Sequence, residues 1–86
     1  MEERMKKKLA TDVQMAGQHY QSQAIQPIQY ITANNLSFCL GNVVKYVTRN
    51  KTNKVEDLLK AKHYIDLELE LIHKCDSDGK PIKWGL

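Results

Sequence analysis

At 86 residues the chain is one small domain, of a size that buries only about 60–65% of the surface its unfolded form would expose. Thirteen Lys and Arg against ten Asp and Glu leave a net charge of +3. That excess suits a phosphate-bearing partner and falls short of the basicity usual for a protein that grips a nucleic-acid backbone. With 42% hydrophobic residues but only one Trp, one Phe and four Tyr, the core must be thin and built from Ile, Leu and Val, and the chain is expected to complete it as a homo-oligomer.

Residues 1–18 read as a charged N-terminal arm that starts as a helix, with Met5, Leu9 and Val13 recurring every four residues until Gly17 breaks the run. No apolar stretch follows the charged start, so no secretory signal is expected, and nothing approaches the ~18 apolar residues of a membrane span. A cytoplasmic protein without a membrane partner is the expectation. The segment 19–26, rich in Gln, reads as an ordered loop carrying His19 and Tyr20.

Pro27 suits a first helical position, where its missing N–H is not needed, and Asn34-Asn35 suits a helix end, since Asn tolerates the left-handed conformation. A short helix over 27–34 follows. Over 37–50, Leu40, Val43, Val44 and Val47 fall at i, i+3, i+4 and i+7, one face of a helix. After a polar turn, Asn53 with Glu56 three residues later resembles a capping box. It opens a long helix over about 54–75, with Val55, Leu58, Ile65, Leu69 and Ile72 as its expected buried stripe. The run Asp66 to Ile72 alternates like a strand, but Leu and Glu are strong helix formers and decide for helix. Residues 76–86 are expected to be a turn followed by an irregular tail. The result is an all-α class: a small bundle in which the long helix hairpins back on a shorter one, with a main domain over 19–75.

The chemistry sits on the opposite face of the 37–50 helix. Asn42, Lys45, Tyr46 and Arg49 also recur at i, i+3, i+4 and i+7, so they project together. Arg can fork onto phosphate oxygens, Lys supplies a point charge, Asn reads a base edge and Tyr stacks. Spacing alone favours an ordinary solvated face of an amphipathic helix. Gly41, costly inside a helix, points to close approach of either a neighbouring helix or a ligand. On the long helix Asp57, Lys60 and Tyr64 form a row that a hairpin brings to the Arg49 end, where Asp57 would orient Arg49 or Lys45, or simply form an inter-helix salt bridge. Cys39 and Cys75 lie far apart and read as free thiols packed as small hydrophobes. His63 and His73 have no ligand neighbours at zinc spacing, so no metal site is expected.

In order, HYQ (19–21), QPIQYI (26–31), NNLSFCLGNVVKYVTRNK (34–51) and VEDLLKAKHYIDLEL (55–69) resemble a small bacteriophage family of helical domains of unknown function. Its pattern is His-Tyr, Pro-Ile, Phe-x-Leu-Gly-Asn-x-x-Lys-Tyr-x-x-Arg, then Glu-Asp-Leu-x-Lys-Ala-x-x-Tyr. The last two blocks are matched at Phe38, Leu40, Gly41, Asn42, Lys45, Tyr46 and Arg49, and at Glu56, Asp57, Leu58, Lys60, Ala61 and Tyr64. The resemblance implies a phage origin and nucleotide recognition, because a longer member is described as a nucleotide kinase that acts on deoxynucleoside monophosphates without a recognisable ATP-binding motif. It makes His19, Tyr20, Asn42, Lys45, Tyr46, Arg49, Lys60 and Tyr64 the candidate nucleotide site. Asp57 and His19 are then the candidate proton acceptors.

Three functions follow as expectations. The first is a nucleotide-binding protein, an enzyme if it transfers a phosphoryl group, in which case Mg²⁺ is the cofactor to look for, held by Asp57 with Glu56. The second is a non-enzymatic sponge that sequesters a nucleotide or cyclic-nucleotide immune signal in the host cytoplasm. The third, least suited to the modest charge, is a nucleic-acid or host-protein-binding module using Lys6 to Lys8, Lys45, Arg49, Lys51 and Lys54.

Overall fold

The structure, a computed structural model, describes Leu9 and residues 23–50 and 52–83. The expected N-terminal arm helix, His19 and Tyr20 lie outside the described residues. Three helices follow in chain order: α1 (Pro27–Ala33), α2 (Phe38–Thr48) and α3 (Lys54–Leu71).

Local chemistry accounts for each boundary. Pro27 opens α1, and the Gln26 N–H donates to Gln29 Oε1 at 2.8 Å, satisfying one of the orphan donors at a helix start. At its end Asn35 takes a left-handed φ of 53°. The N–H groups of Asn35 and Leu36 then return to the carbonyls of Thr32 and Ile31 at 3.2 and 3.1 Å, the two bonds of a Schellman closure. Ser37 caps α2 by accepting from the Leu40 N–H at 3.1 Å. Asn53 caps α3 by accepting from the Glu56 N–H at 3.0 Å, and Glu56 and Asp57 place negative charge in the first turn of α3, where the helix dipole favours it. Lys54 reaches back to donate to the carbonyls of Val47 and Arg49 at 2.7 and 3.1 Å. One cation thus closes the end of α2 and ties it to the start of α3.

α2 and α3 run antiparallel. Ser37, at the start of α2, donates to Glu68 Oε1 near the end of α3 at 2.8 Å, whereas Arg49, just past the end of α2, meets Asp57 in the first turn of α3. α1 packs on α2 at Gly41, where an added Cβ would lie 3.0 Å from Ile31 Cγ2. Close helix approach is therefore the reason glycine stands there.

Two expectations need correction. α3 ends at Leu71 instead of near Cys75, because Lys74 adopts a left-handed φ of 57° and turns the chain back. Residues 80–82 are not irregular. Cys75 bridges Pro81 antiparallel, the Asp76 carboxylate accepts from the N–H groups of Asp78 and Lys80 at 2.9 Å each, and the Ile82 N–H donates to the Lys74 carbonyl at 2.9 Å. The result is a small closed loop folded on itself.

The larger correction concerns which faces turn inward. The stripe expected to be buried on α3 is exposed at Val55, Leu58, Ile65 and Ile72 and only half-buried at Leu69. On α2, Leu40 and Val47 are exposed, while Val43 and Val44 are half-buried. The buried residues of α3 are instead Asp57, Ala61 and Glu68, and those of α2 are Cys39 and Gly41, of which Gly41 faces Ile31 of α1. Hydrophobic periodicity finds a face that avoids water. It does not say whether this chain or another molecule covers that face.

Candidate functional site

The inter-helix seam is built from the residues that the polar stripe singled out. Arg49 forks onto Asp57, with Nη2 to Oδ1 at 3.0 Å and Nε to Oδ2 at 3.2 Å. The Asp57 side chain is 1% exposed and that of Arg49 14%. A bidentate guanidinium–carboxylate pair of this kind has fixed geometry, so it locks the end of α2 against the start of α3. Of the two alternatives for Asp57, it orients Arg49 rather than Lys45, and in doing so it is itself the inter-helix salt bridge.

One turn further along, Tyr46 and Tyr64 stack with ring centroids 6.0 Å apart and planes inclined by 14°. Phe38 also meets Tyr64, edge-on at 6.1 Å. Three cations surround the Tyr46 ring: Lys45 Nζ lies 5.1 Å from its centroid, Arg49 Cζ 5.2 Å and Lys60 Nζ 5.4 Å. Each such contact stabilises by about 0.5–1 kcal/mol at exposed positions, but three like charges around one ring also repel. Asp57 neutralises Arg49. Lys60 lies 4.0 Å from Glu56, with both side chains about half exposed, a geometry in which an ion pair contributes little. Lys45 has no ion pair among the described residues, so the cluster keeps a positive surplus next to an aromatic platform.

A shallow, open depression of about 450 Å³ borders this cluster, lined by Tyr46, Glu56, Leu59, Lys60, His63 and Tyr64. The fold thus brings together Lys45, Tyr46, Arg49, Asp57, Lys60 and Tyr64. Asn42 is not among them. Its amide donates to the Phe38 carbonyl of its own helix at 3.0 Å, and it borders a separate hollow beside α1, near Ile28, Ile31 and Lys45. Leu59 and His63 line the depression although the sequence reading gave them no part in binding, and Glu56, expected only as a Mg²⁺ ligand beside Asp57, lines it too. The signal was available, since 56, 59, 60 and 63 form the helical face that continues the Lys60–Tyr64 row.

A second polar cluster went unforeseen. Glu68, buried within α3, accepts from Ser37 on one oxygen and contacts His73 Nε2 with the other at 3.2 Å. Both oxygens of a buried carboxylate are thereby satisfied, as burial requires, and the start of α2 is held to the end of α3. Cys39 and Cys75 are free thiols, Cys39 buried and Cys75 half-buried with its Sγ 3.3 Å from the His73 carbonyl. Among the described residues no group of three or more His, Cys, Asp and Glu could hold a metal ion, and no helix is long and apolar enough to cross a membrane.

These features define a small all-α protein with three helices among the described residues, whose antiparallel α2–α3 hairpin carries a cation-ringed tyrosine stack. Residues 13–66 match the model of the DUF3310 family, described as a protein of unknown function. The match spans well over half of the chain, which therefore belongs to that family. No curated protein and no solved structure gives a significant match.

Proposed function

We propose that this chain binds a nucleotide, with Lys45 and Lys60 contacting phosphate and the Tyr46–Tyr64 pair supplying the stacking surface for the base. The observation that carries the reading is the convergence of three cations within 5.4 Å of one tyrosine ring beside a depression that exposes two stacked aromatic rings. A phosphate relieves the mutual repulsion of the lysines, and a purine packs against the two tyrosines where they line the depression. The resemblance to bacteriophage domains related to a nucleotide kinase supports the same ligand class and a phage origin.

Binding without turnover fits the geometry better than phosphoryl transfer. Phosphoryl transfer works chiefly by positioning and by charge neutralisation at the transferring group. Here the Arg49 fork is taken by Asp57, and the Asp57 carboxylate is almost wholly buried and does not line the depression. The role left is sequestration of a mononucleotide or cyclic nucleotide in the cytoplasm of an infected cell. Calorimetric titration with dAMP, a cyclic dinucleotide and deoxyadenosine tests this, followed by chromatography of the recovered ligand. Saturable binding of the phosphorylated ligands and their recovery unaltered are expected. Conversion of dAMP to a diphosphate in the presence of ATP and Mg²⁺ would establish the kinase reading instead, and no binding by folded protein would overturn both.

A further inference from the structure

The exposed face of α3 repeats with a regularity that the monomer does not use. Val55, Leu58, Lys62, Ile65, Leu69 and Ile72 are spaced three, four, three, four and three residues apart, the a/d seam of a coiled coil. Val55, Leu58, Ile65 and Ile72 are 70%, 47%, 45% and 57% exposed. The seam lies about a quarter-turn around the helix from the Asp57–Ala61–Tyr64–Glu68 row that packs on α2, so a second helix can dock there without disturbing the hairpin. It extends for about 26 Å at the 1.5 Å rise of an α-helix.

We propose that this face is the contact between two copies of the chain, with α3 packed antiparallel on α3 about a two-fold axis between Lys62 and Ile65. Charge selects the occupant and the direction. Lys62 is the one polar residue in the seam, Asp66 follows one turn later, and neither makes an ion pair or side-chain hydrogen bond among the described residues. In the antiparallel arrangement the seam is its own complement: Val55 meets Ile72 of the second copy, Leu58 meets Leu69, and Lys62 lies over Ile65 with its ammonium beside Asp66 of that copy. A parallel pair would instead place Lys62 against Lys62. A single polar residue at a seam position commonly fixes register and orientation in this way. The contact is isologous, as closed two-fold dimers require. With only two and a half heptads, the dimer is expected to dissociate on dilution.

Sedimentation velocity of the full chain, from about 5 to 500 µM, tests the proposal, with helix content by circular dichroism as the folding control. The expected result is a concentration-dependent dimer. The substitution I65K, which sets a lysine against Lys62, weakens it at least tenfold. K62E and D66K each weaken it comparably, whereas the double variant K62E/D66K restores it to within about threefold, because the pair is exchanged across the axis. A monomer throughout the range would overturn the proposal, including the case in which residues 1–22 of the same chain cover the face. So would an oligomer that is indifferent to I65K and to the charge reversals.

Discussion

Replacing Asp57 with Asn tests the lock between the helices most severely. Asp57 is 1% exposed and receives both hydrogen bonds of the Arg49 fork, at 3.0 and 3.2 Å. The amide keeps the shape but removes the charge, and it presents an NH₂ to one of the guanidinium donors. The Arg49 side chain is 14% exposed, so it can recover only part of its hydration by swinging outward. Breaking a buried pair by removing one partner costs about 3–5 kcal/mol. Partial escape of Arg49 to water puts the expectation at the lower end, about 3 kcal/mol. A domain whose total stability is about 0.05–0.15 kcal/mol per residue loses a large fraction of it, and its melting temperature falls by about 12–24 °C at about 4–8 °C per kcal/mol. Urea denaturation of D57N, R49M and the double variant R49M/D57L measures this. Both single variants should be strongly destabilised, whereas the double variant, which removes both members of the pair, should be clearly less destabilised than either single variant. A D57N protein as stable as the parent would refute the claim that this pair holds α2 on α3.

Gly41→Ala gains intrinsic helix propensity but places a methyl 3.0 Å from Ile31 Cγ2. Crowding in a packed contact costs about 1–3 kcal/mol against about 1 kcal/mol of propensity, so a net loss of about 1 kcal/mol in chemical denaturation is expected, and a stabilised variant would contradict the close contact of α1 with α2. Ser37→Ala removes the α2 cap and the hydrogen bond to Glu68 together. A loss of about 2 kcal/mol is expected by the same assay, while Asn53→Ala, which removes a cap alone, should cost about half as much. Lys60→Ala and Lys45→Ala should each weaken dAMP binding about tenfold without lowering the melting temperature of the free protein, since a hydrogen bond to a charged group contributes about 1.5–3 kcal/mol. Equal affinity in either variant would remove that lysine from the site.

Much of the local architecture was legible in single residues. Pro27, the Asn34-Asn35 pair and Asn53 with Glu56 mark helix boundaries through local backbone chemistry, which needs no tertiary context. The Arg49–Asp57 pairing followed from a hairpin that lays the Asp57–Lys60–Tyr64 row beside Arg49. The direction of burial was not legible. Valines and leucines at helical spacing normally mark the packed face, but α2 and α3 join through an ion pair, a tyrosine stack and the Ser37–Glu68 hydrogen bond, leaving the apolar stripe of α3 outside. The Glu68 cluster escaped notice because Ser37, Glu68 and His73 come together only once the hairpin register is set. The end of α3 depended on a left-handed Lys74, a conformation that nothing in the residue type announces. Asn42 shared the spacing of the site residues but spends its amide on its own helix, a choice that periodicity cannot reveal.

On the proposed function, the tyrosine stack and its lysines read a base and a phosphate together. The most direct measurement follows the ring-proton resonances of Tyr46 and Tyr64 by NMR as dAMP, deoxyadenosine or inorganic phosphate is added at constant ionic strength. Saturable shifts of both rings are expected with dAMP at concentrations at least tenfold below those that deoxyadenosine or phosphate requires. Equal responses to dAMP and deoxyadenosine, or shifts confined to residues away from the α2–α3 seam, would contradict that function.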